Sequence, residues 1–275
     1  MPHETLTFPA LQRLLRPRPA DGHKGTFGHA LIVAGRYGMA GASVLAARAC
    51  MRSGVGKTTL HIPQANNTIV QISAPEVIVH HDADAREFTT PVPLAAYDAM
   101  AIGPGLGTSE ATCRAVAQQL TAAQHVPSVV DADALNILAL HPEFYEQLPK
   151  QTILTPHPAE YRRMAEVDDP APFAAKHRII LVLKGHPTRI FTPEGQCYES
   201  PWGNNGMGTA GSGDVLTGII VALLAQGYSP AEAAVLGVSL HALSGDHAAA
   251  DKGEHSLIAS DLIDYLPSAF QLLEA

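Results

Sequence analysis

The sequence predicts an α/β fold with a mainly parallel central sheet and helices on both faces. Three observations carry this expectation. Short, continuous apolar runs rich in β-branched residues recur along the chain, which is how strands covered on both faces read. Helix-type segments fall between several of them, and such alternation marks a parallel sheet with crossover helices. Alanine and glycine abound while aromatics make up only 5% of the chain, which favours helices packed closely on a sheet over a β-sandwich.

Taken in order, a short helix is expected over residues 9–15, followed by an irregular arm containing proline and arginine. Strands are expected over 30–34, 57–62, 77–80, 99–103, 128–131, 152–155 and 179–184, with helices over 42–53, 110–120, 134–140 and 158–166. The pattern changes after Lys184: residues 189–192 and 196–199, joined by Pro193-Glu194-Gly195, read as an antiparallel hairpin. A helix then follows the glycine-rich stretch near residue 215, and Gly227 can end it. Ser229-Pro230-Ala231-Glu232 has a capping-box pattern with proline at the first helical position, so a second helix should run to about Ala250. A last helix is expected over 259–266. No internal repeat or linker interrupts the sequence, so residues 1–275 are expected to form one domain.

Bulk properties bound the function. A chain of 275 residues that is 46% hydrophobic and 16% charged is globular and long enough for a sizeable core. A formal net charge of −8 argues against nonspecific nucleic-acid binding, which needs a basic footprint. Any anionic substrate must therefore be held by local dipoles and single lysines. Three widely spaced cysteines, Cys50, Cys113 and Cys197, offer neither a disulfide framework nor a CxxC metal pair, and fit a reducing compartment. The first twenty residues lack the apolar core of a secretory signal, and the apolar run 216–225 is too short to span a bilayer. A cytoplasmic protein without membrane or nucleic-acid partners is expected.

The most informative stretch is Gly206-Met207-Gly208-Thr209-Ala210-Gly211-Ser212-Gly213-Asp214-Val215-Leu216-Thr217-Gly218. Glycines before a helix N-terminus bring unpaired amides and a positive dipole end to one point, a site for a phosphate or a developing oxyanion. Gly211, Ser212 and Gly213 are the candidate anion hole. A carboxylate is out of place there unless it acts, and general base is the natural role for Asp214. The plain alternative is a glycine turn with Asp214 as an ordinary helix cap.

Two glycine patterns are decoys. Gly54-Val55-Gly56-Lys57-Thr58-Thr59 resembles a phosphate-binding loop, but Met51 stands where glycine is needed and a strand rather than a helix follows. Gly206-x-Gly208-x-x-Gly211 has dinucleotide-fingerprint spacing, but it lies late in the chain and follows no clear strand.

Four other segments end strands with residues suited to chemistry. They are the glycine loop from Gly35 to Ala42, Gly103-Pro104-Gly105-Leu106-Gly107, Thr155-Pro156-His157-Pro158-Ala159-Glu160, and Lys184-Gly185-His186-Pro187-Thr188. Each alone could be a plain turn. In open α/β sheets ligands bind beyond the carboxyl ends of strands, so one shared site explains all four better than coincidence does. Asp131 and Asp133 also follow a strand; Asp133 is a candidate helix cap, and Asp131 could face the site. His80-His81-Asp82 suggests a metal cluster, but adjacent histidines on a strand point to opposite faces, and a solvent-exposed strand end is the better reading.

Together with Lys24-Gly25-Thr26-Phe27-Gly28 and Asp131-Ala132-Asp133-Ala134-Leu135-Asn136, these segments resemble the ADP-dependent NAD(P)H-hydrate dehydratases, a branch of the ribokinase-like superfamily. The resemblance runs from about Lys24 to Asp264. It implies a ribokinase-like three-layer fold and repair of hydrated NADH and NADPH. It further implies that Ala42, Gly105, His157 and Asp214 contact the hydrated cofactor, and that Lys184, Gly185, His186, Pro187, Thr188 and Gly213 contact the adenine nucleotide. ADP as co-substrate, Mg²⁺ with Glu160 as an outer-shell contact, a homo-oligomer (often a tetramer) and a separate epimerase belong to the same implication. Ser212 stands where many relatives have threonine, which keeps the hydroxyl. A ribokinase-like kinase acting on a small alcohol or vitamin precursor is the nearest rival. A nucleotide-binding regulator without turnover is a second, disfavoured because pure binding gains nothing from a carboxylate beside phosphates.

Overall fold

The computed structural model describes residues 3–165 and 169–275. In chain order the elements are β1 (Glu4–Thr5), α1 (Phe8–Leu14), β2 (His29–Val33), α2 (Ala40–Arg52), β3 (Lys57–Ile62), α3 (Asn67–Ser73), β4 (Ile78–His81), β5 (Ala99–Ile102), α4 (Glu110–Ala122), β6 (Ser128–Val130) and α5 (Ala132–Leu140). They continue as β7 (Ile153–Leu154), α6 (Pro158–Met164), α7 (Pro170–His177), β8 (Ile180–Leu183), β9 (Thr188–Phe191), β10 (Cys197–Ser200), α8 (Ser212–Ala225), α9 (Pro230–Lys252) and α10 (Ala259–Glu274).

The strands form one sheet in the order β1-β10-β9-β8-β7-β6-β5-β2-β3-β4. All pairings are parallel except those of β9, which runs antiparallel to β8 and β10 as the hairpin reading expects. Successive strand side chains point to opposite faces, and both faces are buried. Ala30 and Ile32 of β2 pack into one core with α2, α8, α9 and α10, while Leu31 and Val33 pack into a second with α4, α5 and α7. This gives the three layers expected from the sequence.

Several elements differ from expectation. The segments β1, α3 and α7 carry too little pattern to be foreseen: β1 is two exposed residues, and α3 buries only Val70. In α7 two prolines disguise a helix capped by Asp169, whose side chain accepts the Ala171 N–H. The last helix does not stop before Pro267 but runs on to Glu274. Its apolar face continues with Ala269 and Leu273, both buried, and that packing outweighs the proline's missing donor. The expected end of α6 at Glu166 lies outside the described residues. The three cysteines are free and buried. Among the described residues no helix is long and apolar enough to cross a membrane.

Candidate functional site

Five strands adjacent in the sheet, β8-β7-β6-β5-β2, end at the segments singled out from the sequence. In that spatial order come Lys184, the His157 segment, Asp131, the Gly105 loop and the Gly35–Ala42 loop. The sequence scatters these pieces over the chain; parallel strand order lines them up along one edge.

Helix α8 lies across the middle of this row. Its N-cap is Gly211, at φ +91°, and a Cβ there would also lie 2.4 Å from Leu45 Cδ1, so only glycine fits. The first amides of a helix have no partner within it, so the N–H groups of Gly213 and Asp214 are the candidates for an anion cradle, while Ser212 N–H donates to Thr209 O at 3.3 Å. A Cβ on Gly213 would lie 3.2 Å from Lys184 Nζ, which puts the cradle and the lysine side by side. The Lys184 ammonium donates to Asp131 Oδ1 at 2.9 Å and lies 3.8 Å from Glu160 Oε2. Burial alone would lower its pKa, but the charges of Asp131 and Glu160 outweigh burial and hold it above the ordinary lysine value.

Asp214 sits in the first turn of α8. Burial pushes its carboxyl up to about 7, with the charge of Asp131 adding to the effect and that of Lys184 opposing it. A carboxylate poised near neutrality matches what a general base needs. The reading of Asp214 as an ordinary cap fails, because Gly211 holds that position.

Two flanks meet at the N-terminus of α8, where Ser212 and Gly213 line a cleft and Gly211 packs against Leu45 of α2. On one side is a cleft of about 600 Å³, bounded by the Lys184–Thr188 segment, residues 202–205, Ser212, Gly213 and His241. Lys184, Gly185, His186, Thr188 and Gly213 line it, as the nucleotide-site expectation requires; Pro187 is exposed within the same segment. On the other side Ala42 and Gly105 lie together: a Cβ on Gly105 would be 3.2 Å from that of Ala42. Arg36 N–H donates to Gly105 O at 2.7 Å, joining the two glycine loops.

Some assigned roles change. Asp133 does not cap α5; its Oδ2 accepts Gly107 N–H at 2.8 Å and ties the Gly105 loop to the row. Asp131 holds the N-cap position without capping: its other oxygen accepts the Thr217 hydroxyl at 2.8 Å. His157 Nδ1 caps α6 by accepting the Ala159 and Glu160 N–H groups, while Glu160 Oε2 accepts His157 N–H at 2.8 Å. His157 remains exposed at the mouth of the cleft. His80 and His81 are exposed as expected, but Asp82 is buried and lies 2.9 Å from the buried His61 Nε2.

Sequence reading missed His241 and Asp246 on α9. His241 Nε2 lies 2.9 Å from the Ser212 carbonyl oxygen, and burial pushes its imidazole down to about 4, so it is neutral and donates there. Polar residues interrupting an apolar helix were the available signal.

Among the described residues no group of three or more His, Cys, Asp or Glu could hold a metal. Glu160 is 7% exposed and engaged by its own N-cap and by Lys184. This donor set suits a Mg²⁺ that keeps its waters and is held mainly by a nucleotide's phosphates, with Glu160 reaching at most a bound water.

The chain is similar to known proteins over most of its length. The family model described as NAD(P)H-hydrate dehydratase matches residues 30–268. The chain is 41% identical over 275 residues to the bifunctional NAD(P)H-hydrate repair enzyme of Moorella thermoacetica, an alignment covering 94% of this chain and 52% of that protein. It thus spans about half the length of the bifunctional relatives it matches. It is 34% identical to the ADP-dependent (S)-NAD(P)H-hydrate dehydratase of Bacillus subtilis, covering 94% of this chain and 95% of that one. The solved structure of the ADP/ATP-dependent NAD(P)H-hydrate dehydratase of Bacillus subtilis, co-crystallised with ATP and Mg²⁺, superposes with a TM-score of 0.88 at 33% identity and covers 100% of both chains. The shared layering is the ribokinase-like one. A strand-edge row of glycine loops, an amide cradle and a near-neutral carboxylate thus coincide with a match over most of the chain, and the protein belongs to the NAD(P)H-hydrate dehydratase family.

Proposed function

We propose that this chain dehydrates the S-form of 6-hydroxylated NADH and NADPH back to NADH and NADPH, coupled to conversion of ADP to AMP and phosphate. The observation that carries the proposal is Asp214: a carboxyl pushed up to about 7 in the first turn of α8, next to Gly213, which lines the cleft beside Lys184. The Bacillus subtilis relative, an ADP-dependent (S)-NAD(P)H-hydrate dehydratase, supports the donor and the epimer.

Hydroxide is a poor leaving group from C6 of the reduced ring. Asp214 accepts the C6-hydroxyl proton as that oxygen attacks the terminal phosphorus of ADP, and the bond from phosphorus to the bridging oxygen of AMP breaks. The Gly213 amide at the tip of α8 holds charge developing on the transferring group, and Lys184 adds a fixed positive charge. The ring-nitrogen lone pair then expels phosphate, and transfer of the C5 proton to the departing phosphate restores the dihydronicotinamide. Lys184 to Thr188 and Gly213 hold the nucleotide; Ala42, Gly105 and His157 hold the hydrated cofactor. Mg²⁺ bound to the diphosphate would neutralise part of its charge, with Glu160 reaching it through water.

A homo-oligomer, most simply a tetramer, acting in the cytoplasm with an epimerase activity that supplies the S-form, completes the proposal. The test is to mix the protein with the hydrate of NADH, Mg²⁺ and either ADP or ATP and follow the near-ultraviolet absorbance of dihydronicotinamide. A nucleotide-dependent rise is expected. Formation of a stable phosphorylated product of a small alcohol, with no rise, would replace the proposal by the kinase reading.

A further inference from the structure

The cleft wall formed by residues 202–209 has no strand of its own and holds only the short turn Asn205–Met207. Its position depends on α9. Asp246 spends both carboxylate oxygens on this loop: Oδ2 accepts Gly203 N–H at 2.9 Å, and Oδ1 accepts Asn204 Nδ2–H at 2.9 Å. Asn204 Oδ1 in turn accepts Gly206 N–H at 3.0 Å. One acidic side chain, acting partly through one amide, thereby pins the loop along its length.

The same helix holds the anion cradle, because His241 Nε2 lies 2.9 Å from the Ser212 carbonyl oxygen. Between the two grips stands Gly245, where a Cβ would lie 2.4 Å from Met207 Sδ, so the loop rests directly on the helix. Helix α9 therefore sets the spacing between the wall and the cradle. The chemistry of Asp246 calls for such a role. Among the described residues it makes no ion pair, and its recorded partners are neutral N–H donors. An unneutralised carboxylate beside a cleft for an anionic nucleotide opposes binding unless it organises the site.

We propose that Asp246, through Asn204, is the positioning residue of the nucleotide cleft and holds the wall against which the nucleoside end of ADP packs. This rests on the assignment of the cleft to an adenine nucleotide. The test is equilibrium binding of ADP, read apart from turnover, with thermal unfolding of each variant recorded alongside. In Asp246→Asn an amide donor replaces one acceptor and faces the donor of either Gly203 or Asn204; in Asn204→Asp two carboxylates face each other. Each single variant should weaken ADP binding by roughly tenfold or more, as loss of a well-made hydrogen bond does. The double variant D246N/N204D reverses the pair and keeps all three bonds: the new amide oxygen accepts Gly203 N–H, the new amide nitrogen donates to the new carboxylate, and that carboxylate accepts Gly206 N–H. ADP affinity should return to within about threefold of the original. Wild-type affinity in Asp246→Asn, or a double variant no better than the weaker single, would overturn the proposal. An original chain that binds no ADP would overturn it too. A chain that binds ADP but regenerates no dihydronicotinamide would defeat the dehydratase reading and leave this one standing.

Discussion

Lys184 and Asp131 form the ion pair around which the site is arranged, with Nζ 2.9 Å from Oδ1 while the other Asp131 oxygen accepts the Thr217 hydroxyl of α8 at 2.8 Å. One carboxylate thus ties the end of β8 to the end of β6 and to the helix that carries Asp214. Lys184 and Asp131 act on Asp214 with opposite sign: the lysine favours its ionised form and Asp131 disfavours it.

The first prediction follows from that opposition. A base must be ionised, so kcat/KM should rise with pH through about 7, the value to which burial and Asp131 push Asp214. Asp131→Asn removes a negative neighbour and frees Lys184 to act on Asp214, so the limb should move to lower pH. A pH–rate profile of the two proteins checks this, and an unmoved limb would mean another group titrates.

Asp214→Asn should lower kcat by roughly 10²–10⁴-fold, the range for losing a general base. The same change should stabilise the fold at alkaline pH. A carboxyl whose folded pKa is raised gives stability that is present at low pH and is lost as pH rises from the unfolded value, 3.8, through about 7. Above pH 7 the original protein holds a disfavoured charge that the amide lacks. Thermal unfolding near pH 8 should therefore give a higher Tm for the inactive variant, and a lower one would contradict the burial argument.

His157 has two jobs that substitutions can separate. Its Nδ1 caps α6, and its ring is exposed at the mouth of the cleft. Asparagine caps helices well, so His157→Asn should keep Tm while raising KM for the hydrated cofactor by about five- to tenfold, as loss of one hydrogen bond would. His157→Ala should add about 1 kcal/mol of destabilisation from the lost cap. An unchanged KM in both variants would remove His157 from substrate contact.

Asp82 predicts an acid-sensitive edge of the sheet. It accepts N–H groups of Asp84, Thr89 and Thr90 and the Thr89 hydroxyl, beside the buried His61. Burial would raise its pKa, but those bonds outweigh burial and hold it below the ordinary carboxylate value. A lowered folded pKa gives stability that is present above the unfolded value and lost as pH falls through the folded one. Asp82→Ala should cost about 3–5 kcal/mol near neutrality, because it removes four hydrogen bonds and the partner of the buried His61, and should flatten the fall of Tm at acid pH.

Sequence and structure agree where one face or one residue decides. The strands were legible because both faces are apolar, and the Gly211–Asp214 cradle because glycine and aspartate are informative at a helix start. Boundaries shifted by a residue or two, as at α2, which begins at Ala40 rather than residue 42. The pairing of Asp131 with Lys184 could not be read, because 53 positions separate them and only strand order brings them together. His241 and Asp246 were hidden for the same reason: α9 reads as a core helix, and its polar residues face the cleft only after it folds back over α8.

Helix α8 is walled in. Most of its residues are buried, and a Cβ on Gly218 would lie 2.1 Å from the Ala46 carbonyl oxygen of α2. The amide cradle at its tip is therefore not a loop that can close on a ligand but the protruding end of the hydrophobic core. Accommodation must come from the partners, the loops at residues 35–42 and 202–209 and the ligands themselves. A change of nucleotide preference should thus be reachable through those loops, while small-to-large substitutions along the inner face of α8 would act on turnover and stability together.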